Sequence, residues 1–88
     1  MSTSTKTAAI ERYRQARRLA FSRMGDLRER MDEWLDAHLE HEPTMADLAT
    51  LEGMHAERLR VVAELEAAER AMIDALLRAR PDAPATKQ

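Results

Sequence analysis

Apolar residues recur along the first half of the chain in alternating steps of three and four: Ile10, Tyr13, Arg17, Ala20, Met24, Leu27, Met31, Trp34, His38. The second half repeats the spacing at Leu48, Leu51, His55, Arg58, Val62, Leu65, Glu69, Met72, Leu76. Seven of the first nine positions are apolar or aromatic, over four heptads, so the repeat is that of a coiled-coil seam. A strand alternates its faces every second residue and cannot produce this spacing. The pattern therefore predicts two long helices. Each seam has flanks: Met54, Val61, Ala68 and Ala75 lie on one side of the second, Leu59 and Ile73 on the other, and Phe21 and Leu35 widen the first.

Between the two runs stands Glu40-His41-Glu42-Pro43-Thr44-Met45-Ala46-Asp47. Pro43 has no N–H to donate and its ring clashes with a preceding helical turn, so a helix ends before it. Thr44 with Asp47 three residues on is a capping box with Asp in place of Glu, which opens a new helix at Met45. The expected organisation is a flexible arm over 1–6, a helix over about 7–40, a turn at 41–44, a helix over about 45–80 stopped by Pro81, and a disordered tail over 81–88.

A chain that doubles back at Pro43 puts residues whose numbers add to 86 opposite each other. Ile10 then meets Leu76, Tyr13 meets Met72 or Ile73, Met24 meets Val62, Leu27 meets Leu59 and Trp34 meets Leu51. The two charged residues on the seams, Arg17 and Glu69, also coincide, and such a pair can set register. The expected core is Ile10, Tyr13, Ala20, Met24, Leu27, Met31, Trp34, Leu48, Leu51, Leu59, Val62, Leu65, Met72 and Leu76. One partner helix cannot cover stripes as broad as these. The fold expected is therefore all-α, a two-helix antiparallel hairpin that pairs with a second copy as a four-helix bundle, with Phe21, Leu35, Met54 and Val61 at the dimer interface.

Composition agrees with long helices: only three of the 88 residues are aromatic, and 34% are charged. So short a chain has a thin interior and commonly needs an oligomer, a metal or disulfides to support it. Cysteine is absent, which removes disulfides, thiolate nucleophiles and Cys-based zinc sites, and suits the cytoplasm. The first residues carry no apolar core of a secretory signal, and no uncharged apolar run reaches the roughly 20 residues that cross a bilayer. No membrane partner is expected.

The net charge of −2 conceals a steep gradient. Residues 6–30 carry eight basic and three acidic side chains, residues 31–57 carry eight acidic and no Lys or Arg, and residues 58–88 carry six basic and five acidic. Folded as a hairpin, the chain becomes a rod with an acidic tip (Asp32, Asp36, Glu40, Glu42) and a basic open end (Arg12, Arg14, Arg18). Two rods lying antiparallel would set opposite charges side by side, whereas a parallel pair would oppose like charges.

Catalytic chemistry finds little footing. Serine occurs at positions 2, 4 and 22 only, without a His–carboxylate spacing that would activate one, and no Gly-rich phosphate loop is present. His38 and His41, one turn apart beside Glu42, have a spacing that could hold zinc, yet imidazoles at a helix end commonly cap its carbonyls. Glu52-x-x-His55 has the spacing of a di-iron carboxylate helix, but the opposing layer of Met31 and Trp34 offers no inward carboxylate. No enzyme, metal or cofactor is expected. The reading is a non-enzymatic protein–protein interaction module: an adaptor, assembly factor, chaperone or inhibitor acting as a hairpin homodimer. One alternative is a hairpin dimer that binds nucleic acid through its basic end, although its arginines alternate with acids and lack exposed aromatic neighbours for base stacking. The other is an inhibitor whose acidic tip docks on the basic, nucleic-acid-binding surface of a partner.

Overall fold

The computed structural model describes residues 2–79. It consists of two helices, α1 (Ser2–Ala37) and α2 (Met45–Arg78), packed along each other as a hairpin, with no strand among the described residues. The rod measures 68 × 20 × 15 Å, and its Cα radius of gyration of 20.2 Å far exceeds the roughly 12 Å of a compact domain of this length. The molecule is one layer of helix thick.

α1 starts at Ser2, so residues 2–6 belong to the helix instead of forming an arm. Nothing in Ser2 to Lys6 stops a helix: neither Pro nor Gly occurs there. The helix is continuous through Gly25, where an added Cβ would meet nothing within 4 Å. It closes at Ala37, short of the expected Glu40. The His38 amide is shared between the carbonyls of Trp34 and Leu35, both at 3.2 Å, and Leu39 reaches back only to Asp36 at 3.4 Å. That tightening of the last turn is how a helix end satisfies carbonyls that have lost their partners. α2 opens as its sequence predicts. Thr44 is extended (φ −82°, ψ 173°), its Oγ1 accepts the Asp47 N–H at 3.1 Å, and its own N–H donates to Asp47 Oδ2 at 2.8 Å. The expected tail at 81–88 lies outside the described residues.

The interior is thin. Among the described residues, Ala9, Ala20, Leu27, Met54 and Val61 are the buried hydrophobics, Val61 completely so at 0% exposure, with Met24 and Leu65 packed against the central Ala20–Leu27–Val61 group. Alanines at 9, 16 and 20 leave short side chains between the helices, which allows their axes to approach at the close end of the usual range.

The register differs from the sum of 86. α2 turns the line Met54–Val61–Leu65–Ala68 towards α1, so that Met54 lies beside Leu27, Leu65 beside Ala16 and Ala20, and Ala68 beside Ala9 and Tyr13. Facing numbers add to about 77 to 85, centred on 81. Leu59, expected opposite Leu27, is instead 56% exposed, and Leu48 is exposed as well. Among the other expected core residues, Ala20 and Leu27 are buried and Ile10, Tyr13, Met24, Met31, Trp34, Leu51, Val62, Leu65, Met72 and Leu76 are half-buried. The small side chain of Ala20 explains the rotation, since it accommodates Val61 beside Leu27, and Met54, two turns away on the same face of α2, is carried against Leu27 with it.

Candidate interaction surface

The tip is held by a clasp that joins the end of α1 to the start of α2. Trp34 Nε1 donates to the Asp47 carbonyl at 2.9 Å, and the His38 ring stacks on the indole with centroids 4.2 Å apart. His38 Nδ1 lies 2.8 Å from the Trp34 carbonyl, and Nε2 lies 3.1 Å from Asp47 Oδ2. Both ring nitrogens thus face acceptors, and only an imidazolium can donate to both. The Trp34 carbonyl first, and the Asp47 carboxylate after it, raise the His38 pKa above its ordinary 6.5. Asp47 moves the other way, below 3.8, chiefly because the Thr44 backbone N–H and hydroxyl bond its carboxylate form, with His38 adding to the effect. His38 therefore serves as the end clamp of α1, and the ring is committed to the hairpin.

Along the middle of the rod the two long sides differ in kind. An α-helix turns about 100° per residue, so Arg23 and Arg30 fall on one side of the buried Ala20–Leu27 line and Met24 and Met31 on the other. The first side is ionic. Arg23 reaches across to α2 and bonds Glu57 at 2.7 Å and Glu64 at 2.9 Å, while Arg60 grips Glu57 from within α2. Arg60 and then Arg23 keep the Glu57 carboxyl below its usual range. Asp26, Arg30 and Gly53 complete this side.

The second side is apolar and open. Phe21, Met24, Met31 and Leu35 form a row on α1 at heptad spacing, and Phe21 and Leu35 are 58% and 48% exposed. Phe21, Met24 and Met31 line one groove with Met54 from α2, and Arg28 and Arg58 edge it. Neither arginine has an ion-pair partner among the described residues. By the same helical geometry, Leu51, Val62 and Ile73 of α2 continue the apolar side beyond the groove.

Of the four residues expected between hairpins, the structure keeps two at the surface and takes two inside. Phe21 and Leu35 remain exposed, but Met54 and Val61 are buried against α1 of their own chain and are withdrawn from any outer interface. The rotation of α2 is the reason. Nor do Arg17 and Glu69 pair among the described residues: the Arg17 guanidinium lies over the Tyr13 ring, 5.5 Å from its centroid, and Glu69 is exposed. The cross-helix pairing is supplied by Arg23, which lies off the seam. Only its distance from the heptad positions hid it, because a long arginine beside a seam can reach a carboxylate on the partner helix.

Asp32, Asp36, Glu40 and Glu42 are all exposed, and none of them has a cation partner among the described residues. Arg12, Arg14 and Arg18 are exposed too, with Arg14 at 3.7 Å from Glu11. At 100° per residue Arg14 and Arg18 share one face of α1 and Arg12 lies on another, so the three make no single stripe. Among the described residues no three potential metal ligands come together, and no helix is long and apolar enough to cross a membrane. No family model, curated protein or solved structure matches the chain.

Proposed function

We propose that the chain is a non-enzymatic protein–protein interaction module of the cytoplasm, working as a homodimer of helical hairpins paired in a four-helix bundle. Adaptor, assembly factor, chaperone and inhibitor are the roles such a module fills. The observation that carries this reading is the mismatch between a thin interior and a wide uncovered apolar side. Five buried hydrophobics, two of them alanines, serve a chain that leaves Phe21, Leu35, Leu48 and Leu59 exposed. Chains this short ordinarily complete their core by association.

Of the alternatives, the acidic tip gains support from its side chains. Asp32, Asp36, Glu40 and Glu42 meet no cation among the described residues, so their field is free to meet a basic protein surface. Nucleic-acid binding loses support. Arg23 is taken up by two glutamates, and Arg12 lies on a different face of α1 from Arg14 and Arg18, where phosphate contacts along a backbone call for one basic face.

The test is capture by the immobilised protein from lysate of its own source, with and without nuclease. Labelled RNA and duplex DNA are titrated in parallel at low and moderate salt. A stoichiometric protein partner that survives nuclease supports the reading. Loss of that partner when the four tip carboxylates become amides assigns the docking surface to the tip. Tight, steeply salt-dependent binding of RNA or DNA with no protein partner overturns it.

A further inference from the structure

The open apolar side and the charge gradient bear on one question, how a second copy would lie. We infer that a second copy covers the Phe21–Met24–Met31–Leu35 side and runs antiparallel, each acidic tip resting beside the basic open end of the other. This rests on the dimer reading above and deepens it to a face and an orientation.

The face follows from elimination along the rod. The side opposite is closed by the Arg23–Glu57–Glu64 network, whose charges a partner would have to strip of water. The outer surfaces carry charged rows, including the tip carboxylates. The ionic side exposes one large apolar residue, Leu19, whereas the Phe21 side exposes Phe21 and Leu35 along a groove, and three of that groove's apolar lining residues are methionines, which adapt to a facing surface. The occupant is a second copy because the matching surface is present on the chain itself. A twofold axis through the middle of the row, near residue 28, brings the same apolar row against its own image, which is the self-complementarity that a dimer interface requires.

The orientation follows from charge. Residues 31–57 hold eight carboxylates and no Lys or Arg, while residues 6–30 hold a net of five positive charges. The four outermost tip carboxylates have no intrachain partner among the described residues, so their charge is unspent within the hairpin. In a parallel pair the two tips would share one end of a rod whose cross-section is only a few helices wide, with like charges within about a Debye length. The antiparallel pair replaces that repulsion with attraction at both ends.

The experiment places a spin label on the tip. The chain has no cysteine, so Ala37→Cys, exposed at the end of α1 and away from the apolar side, carries the one label. Sedimentation first establishes the mass of the labelled protein, and dipolar spectroscopy then measures the distance between labels. An antiparallel dimer whose axis passes near residue 28 separates the two labels by about 27 Å along the rods, and by about 35 Å once the spacing across the dimer is added. A parallel dimer sets them within roughly 20 Å, two interaxial spacings. The dimer should also weaken on raising NaCl from 50 to 500 mM, as attraction between its ends is screened, where a parallel one would strengthen. A dimer with a short distance overturns the orientation and leaves the dimer reading standing. A monomeric mass overturns the dimer reading itself. Phe21→Glu tests the face: a helical monomer by circular dichroism and sedimentation is expected, and an unchanged dimer with an unchanged distance removes that face. Should Phe21→Glu unfold, Leu35→Lys at the other end of the same row decides by the same readings.

Discussion

Val61 and Leu19 are both branched apolar residues on long helices, and their environments set them apart. Val61 is wholly enclosed between α2 and the Ala20–Leu27 stretch of α1, whereas Leu19 lies on the ionic side at 61% exposure. Val61→Ala should cost about 2 kcal/mol, the transfer of two methyl groups plus the cavity they leave. Leu19→Ala should stay within about 0.5 kcal/mol, as surface changes do. Urea unfolding at one fixed protein concentration separates the two. The His38 clasp makes a second prediction at this scale. The raised pKa of His38 contributes stability that is full below pH 6.5 and is lost as pH rises through the elevated folded value. The lowered pKa of Asp47 contributes stability present above pH 3.8 and lost as pH falls through its depressed folded value. The tip is thus held best between those limits. Melting temperature and the emission of Trp34, the only tryptophan, should change together above pH 6.5 in the native chain, and His38→Phe should flatten that change. Part of this was legible in the residues: Asp47 as a capping partner and His38 as a helix-end imidazole both follow from position. Their joining through one carboxylate oxygen was not, because it depends on how far α1 tightens at its last turn.

For the elements, the chain's two helices and their reversal at Pro43 were readable because breaker, cap and period all agree. Thr44→Ala should cost about 1 kcal/mol by removing the acceptor for the Asp47 N–H, a loss that denaturant titration detects. Gly53 carries the opposite expectation. It sits inside α2 with open space where a Cβ would be, so Gly53→Ala should stabilise the protein by about 1 kcal/mol in the same measurement. What periodicity left undecided was the rotation of each helix about its axis. A stripe wider than a seam offers several ways to face a partner, and Ala20 selected the one that buries Val61, with Met54 following on the same face against Leu27. Heptad positions weigh Ala and Leu alike as apolar, while packing separates them by volume. That difference in volume drew Val61 into the hairpin's own interior, turned Met54 inward on the same face and left Arg17 and Glu69 without each other.

As a whole, the molecule is a single-layered rod with one ionic side, one apolar side and opposite charges at its two ends. An isolated hairpin of this kind would keep Phe21, Leu35 and the edge of a methionine groove in water. The account stands or falls on whether the apolar side is covered by another copy. Sedimentation equilibrium of the unmodified protein at micromolar concentration and low salt decides it most directly. The account predicts one species at twice the 10.0 kDa of the chain, with a melting temperature that rises with protein concentration. A folded, cooperatively melting species at the mass of a single chain, unaffected by concentration, would contradict it.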